Sequence, residues 1–206
     1  MENKKYSYRY SWKLKDVILV SMLSVFFGII FLSLDYLVQF IRPFFVFFGL
    51  GELTSDFVFG IWFMAQIFAM YIMRKPGIAL ITGILSAVIQ IPLGSPWGAI
   101  VAASGLMQGV GAELVFLLFR YKKFNVAVML LAGASCAVFS LVLDWYLGFM
   151  AELQIGFIAA RLLIRTISGI FFAGFISKLL ADRLAKAGVL KSYPIGEKYI
   201  GSIDEP

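Results

Sequence analysis

Residues 76–112 read PGIALITGILSAVIQIPLGSPWGAIVAASGLMQGVGA, a run without one charged side chain. Ile91-Pro92-Leu93-Gly94-Ser95-Pro96-Trp97-Gly98 interrupts it. That leaves two apolar arms of roughly 15 to 20 residues, each long enough to cross a hydrocarbon core of about 30 Å. The run predicts a hairpin of two membrane-spanning helices. Its turn carries Trp97, and its return arm carries Gln108 and several glycines and leads into Glu113, polar groups that lipid does not tolerate. The combination points to a binding site.

The whole chain agrees with the hairpin. Of its 206 residues 61% are hydrophobic and 15% charged, too apolar for a soluble globular domain. One cysteine, Cys136, and no histidine exclude an intramolecular disulfide, a Cys/His zinc site and a His-dependent nucleophilic triad. The net charge of +6 belongs to Lys and Arg residues set between apolar segments, which is the pattern of membrane topology rather than of a nucleic-acid stripe. No cleavable leader is expected, because the first fifteen residues are polar and no small-residue cleavage site follows the first apolar run.

In chain order, Met1 to Lys15 mixes five cations with Tyr6, Tyr8, Tyr10 and Trp12, an arrangement expected on the cytoplasmic side. Six spans are predicted, at about 16–41, 57–73, 76–90, 97–119, 124–147 and 156–180. Fifteen of the eighteen Lys and Arg residues then fall on one side, Arg42 on the other, and Arg161 and Arg165 inside the last span. The expected fold class is therefore an all-α integral membrane protein, a single bundle of six transmembrane helices with cytoplasmic N and C termini. Residues 1–188 form the one domain, without internal repeat or linker, and 189–206 a cytoplasmic tail that is disordered or surface-bound.

Candidate chemistry lies in the outer half of the spans. Asp35 is followed by Tyr36, and Asp144 by Trp145 and Tyr146; a carboxylate beside aromatic rings suits a cationic heteroaromatic ligand. Arg161 and Arg165 share a helix face. They either lock helices together as ion pairs or contact a ligand. Glu113, nearer the cytoplasm, either pairs with Arg165 or floors the pocket with Gln108. Gln90 and Gln108 also suit plain interhelical hydrogen bonds. Small residues recur four apart and allow close helix approach. Ser24 and Gly28, with Ser21 one turn earlier, form such a face on the first helix, fit for internal packing or for docking another subunit. No GxxxxGK[ST] loop is present, so ATP hydrolysis by this chain alone is not expected. Two inverted halves are likewise not evident, which argues against a self-sufficient secondary transporter.

Phe59-Gly60-Ile61-Trp62-Phe63-Met64-Ala65, Tyr71-Ile72-Met73-Arg74-Lys75-Pro76-Gly77, Gly94-Ser95-Pro96-Trp97-Gly98 and Gln108-Gly109-Val110-Gly111-Ala112-Glu113 carry a resemblance across segments 2 to 4. The chain resembles the substrate-capture (S) components of energy-coupling factor (ECF) vitamin transporters, in their YkoE-like thiamine branch. The resemblance implies a non-enzymatic subunit in the bacterial cell membrane. It would take thiamine or its hydroxymethylpyrimidine precursor from outside and pass it on with a transmembrane coupling subunit and two ATPase subunits. No cofactor is implied. Docking in such proteins often uses Ala-x-x-x-Ala on the first helix; Ser24 to Gly28 stands at that place here. For the ligand, Asp35, Tyr36, Glu52, Trp62, Trp97, Gln108, Glu113, Asp144, Trp145 and Arg165 supply the carboxylates, amide and rings that a thiazolium and an aminopyrimidine need. The rival readings are a capture subunit for riboflavin, biotin or a metal ion, and an intramembrane enzyme with an Asp35/Asp144 dyad. For nickel or cobalt, histidine ligands would be expected.

Overall fold

The computed structural model describes residues 11–197. The N-terminal cation and aromatic cluster at 1–10 and the last residues of the tail, 198–206, lie outside them. Among the described residues there is no strand, and six helical rods pack into one bundle. They are α1 Leu14–Phe47, α2 Met64–Met73, α3 Ile78–Val88, α4 Ile100–Leu118, α5 Val126–Tyr146 and α6 Ile155–Lys186. By length and composition α1, α4, α5 and α6 suffice to cross a membrane, whereas Phe59–Met73 and Ile78–Val88 are shorter apolar helices.

α1 starts where the Asp16 carboxylate accepts the Lys13 backbone N–H at 2.7 Å and pairs with the Lys75 ammonium. It was expected to end near Ile41 but runs through Pro43 to Phe47. A proline forfeits one intrahelical donor without stopping a helix whose neighbouring turns are fixed. The extension projects Phe44 and Phe47 outward from the bundle.

The second segment departs from a straight span. A 3₁₀ turn, Gly51–Leu53, precedes it, its own first part holds another, Phe59–Ile61, and only Met64–Met73 is α-helical, with all ten of those residues buried. α2 is thus the axis of the bundle rather than a lipid-facing rod. Irregular backbone is tolerated at that depth when protein surrounds it. Gly60 shows the closeness: a Cβ there would lie 2.1 Å from the Ser168 carbonyl oxygen, while its N–H donates to Ser168 Oγ at 3.0 Å.

α3 and α4 form the expected hairpin, with Gly83 and Gly105 letting their backbones touch. α3 begins after Gly77, and its exposed N-terminal donors are taken by a side chain of the return arm. The Glu113 carboxylate accepts from the N–H groups of Gly77, Ala79 and Leu80 at 2.6, 3.0 and 3.3 Å, and from the Tyr121 hydroxyl at 2.8 Å. Four otherwise costly groups at this turn are satisfied together.

α5 is capped by Asn125, whose Oδ1 accepts the Val128 N–H at 3.0 Å. α6 extends past the expected Leu180 to Lys186 and carries a π-helical stretch, Gly169–Ile176, that packs on α5. The start of the tail lies against the bundle. Leu190 and Ile195 are buried, the Tyr193 hydroxyl donates to the Lys15 carbonyl at 2.9 Å, and Lys15 Nζ donates to the Ser192 carbonyl.

The first-helix small face is turned inward. Ser24 and Gly28 are buried, and a Cβ on Gly28 would meet Ile89 of the α3–α4 connection at 2.9 Å. Ser21 alone of the three is exposed. The docking surface expected at Ser24 and Gly28 is a packing contact between α1 and α3.

Candidate functional site

At the end of the bundle opposite the clustered cations, α1, the turns before α2, the α3–α4 hairpin, α5 and α6 enclose a cavity of about 480 Å³. The hairpin turn is fixed over it by α1, since the Tyr36 hydroxyl donates to the Gly94 carbonyl at 2.7 Å. Gly94 and Gly98 take positive φ, 89° and 60°, a conformation glycine adopts without cost, so the turn folds back and presents Trp97 to the cavity.

Seven of the sequence-derived positions line this space: Asp35, Glu52, Trp62, Trp97, Gln108, Asp144 and Arg165. Three do not. Trp145 is 73% exposed, because the residue after Asp144 on a helix points about 100° away. Tyr36 spends its hydroxyl on Gly94. Glu113 caps α3, so neither of its expected roles, partner of Arg165 or pocket floor, describes it.

The arginines find their partners elsewhere. Asp56, just before the predicted second span, is 0% exposed and sits between them. Its Oδ2 accepts from Arg161 Nε at 2.8 Å, and its Oδ1 from Arg165 Nε at 2.7 Å, with Arg165 Nη2 at 2.6 Å. Asp144 Oδ2 lies 2.8 Å from Arg165 Nη1 and 3.5 Å from Arg161 Nη2, and Ser140 Oγ accepts from Arg165 Nη1 at 3.0 Å. The Arg165 guanidinium also stacks 3.7 Å over the Phe59 ring. The network joins the α1–α2 connection, α5 and α6. Asp144 is therefore committed to two guanidiniums. The arginine pair on one helix face signals that a second carboxylate besides Asp144 is needed, without saying which acid supplies it.

The charges of the cavity nearly cancel. Arg42 pairs with Glu52 at 2.6 Å, both half exposed, and the buried arginines are matched by Asp56 and Asp144. Among the described lining residues the acid left over is Asp35, 5% exposed, with Oδ2 buried and lacking a hydrogen-bond partner. It faces the Trp97 indole. A buried carboxylate next to aromatic faces is suited to a flat cation.

The chain is similar to known proteins over most of its length. Residues 15–139 match the family described as ABC-type cobalt transport system, permease component. A protein of Bacillus subtilis (strain 168) named as an HMP/thiamine permease, YkoE, is 35% identical over 188 residues, covering 91% of this chain and 92% of that one. A crystal structure of an S-component of an ECF transporter superposes with a TM-score of 0.86 at 34% identity, covering 91% of this chain and 93% of that one.

Proposed function

Because this chain belongs to the S components of ECF transporters, in their YkoE-like branch, we propose that its cavity captures thiamine, or the related hydroxymethylpyrimidine, from outside the cell. The observation that carries the reading is Asp35. It is the unmatched acid of an otherwise neutral cavity, set against Trp97, and thiamine brings one fixed positive charge on a flat ring. A volume of about 480 Å³ is within the range of small-molecule pockets. The cobalt in the description of the matching family finds no support here, since the chain has no histidine and its one cysteine, Cys136, is buried away from the lining.

The reading extends to topology and partners. All six rods cross the membrane, with the α3–α4 turn outside and both termini in the bacterial cytoplasm, a reading the distribution of Lys and Arg supports. α2 and α3 are short because protein rather than lipid surrounds much of them. The chain itself is a binding subunit; a transmembrane coupling subunit and two ATPase subunits supply the energy. With Ser24 and Gly28 occupied by α3, the coupling subunit meets a different face of the bundle. Titration calorimetry on the purified chain tests the substrate: thiamine binds, and neutral hydroxymethylpyrimidine binds more weakly. Absence of heat from both would remove the reading.

A further inference from the structure

The cavity lining holds a second buried oxygen without a hydrogen-bond partner, Oε1 of Gln90. Gln90 is 2% exposed and stands just past the end of α3. Its amide is oriented locally. Nε2 donates to the Ser86 carbonyl one turn back at 3.2 Å, so Oε1 is turned away from that helix turn. The backbone is held as well, since the Gln90 carbonyl accepts the Ser95 N–H at 3.0 Å across the hairpin turn. An acceptor buried in this way is costly until a donor reaches it.

Asp35 Oδ2 and Gln90 Oε1 are both acceptors, one on α1 and one at the end of α3, and both residues line one cavity. A ligand N–H completes Gln90, while a ligand cation answers Asp35. A ligand carbonyl beside Gln90 would set lone pairs against lone pairs and leave Oε1 unsatisfied. We propose that Gln90 is a specificity-determining residue whose Oε1 accepts an N–H from the exocyclic amine of a heteroaromatic ligand. Asp35 answers the charge of that ligand, and Gln90 selects amine over oxo. The assignment rests on the reading of the cavity as a thiamine site and adds to it which edge of the ligand is read.

The probes are thiamine and oxythiamine, which keeps the thiazolium cation but has oxygen in place of the pyrimidine amine. Calorimetry on the wild-type chain and on Gln90→Met, with melting temperatures alongside, reads the affinity ratio. Wild type favours thiamine by about tenfold or more, because a buried polar group left unpaired penalises the wrong ligand. In Gln90→Met the ratio falls to within about threefold, mostly through weaker thiamine binding. Equal binding of the two compounds by wild type, or an unchanged ratio in Gln90→Met, overturns the role of Gln90 while leaving the thiamine site standing. Binding of neither by wild type overturns both. If Gln90→Met does not fold, the wild-type ratio alone decides.

Discussion

Replacing Asp56 by asparagine tests whether the buried charge network holds the cavity wall. Asp56 makes three contacts of 2.6 to 2.8 Å with two guanidiniums, and Arg165 is fully buried. Opposite charges about 4 Å apart interact by about 4 kcal/mol at an effective dielectric near 20. Asparagine keeps one acceptor but no charge, so Asp144 is left to match two buried cations. Removing one partner of a buried ion pair costs about 3 to 5 kcal/mol, and Asp56 serves two arginines, so the loss falls at the upper end. Unfolding in detergent or nanodiscs measures it. The surplus positive charge also faces the cavity, so thiamine affinity falls with stability. The double variant Asp56→Asn/Arg161→Met removes that surplus and recovers part of both losses, a coupling of about 1 to 3 kcal/mol. A single variant within about 0.5 kcal/mol of wild type, the range of an ordinary surface change, would refute the network's role.

Trp97→Ala weakens thiamine binding about tenfold or more, since a desolvated cation–aromatic contact is worth about 2 kcal/mol. Trp145→Ala leaves affinity unchanged, and an equal loss in the two would return Trp145 to the site. Glu113→Ala lowers stability by about 1 to 3 kcal/mol, as the donors at the start of α3 lose their acceptor, while affinity holds; a calorimetric loss without a shift in melting temperature would reverse that assignment. In a Cys136→Ser background, cysteines at Leu50, Leu93 and Glu152 label from outside with an impermeant maleimide and one at Lys123 does not. Outside labelling at Lys123 would break the topology.

The helix bundle was legible because length and charge distribution act segment by segment: apolar arms and the cations between them place the rods without reference to neighbours. What depends on neighbours was not. Phe57 to Trp62 has the composition of a span, yet it is folded into turns because Ser168 and Gly169 press against Gly60. Asp56 sits among Thr54, Ser55 and Phe57 like an outer-loop acid, and only the distant Arg161 and Arg165 pull it inside. Glu113 carries a polar signal within an apolar helix, but the signal does not say whether the partner is a ligand, an arginine or a helix start. Ser24 and Gly28 show the same limit, since a small-residue face fits a neighbouring helix and a partner subunit alike. Asp35 and Gln108 lie on helices, and Trp62 and Trp97 in the turns before helices, and all four line the cavity.

The central claim is that Asp35 is the charge that captures a cation. Titration of thiamine into wild-type and Asp35→Asn protein, with hydroxymethylpyrimidine as the neutral comparison, tests it most directly. A charge-assisted contact of about 1.5 to 3 kcal/mol predicts roughly a ten- to hundredfold loss of thiamine affinity in Asp35→Asn, with little change for the neutral compound and an unaltered or raised melting temperature. Thiamine affinity unchanged in Asp35→Asn, or an equal loss for both compounds, would contradict the account.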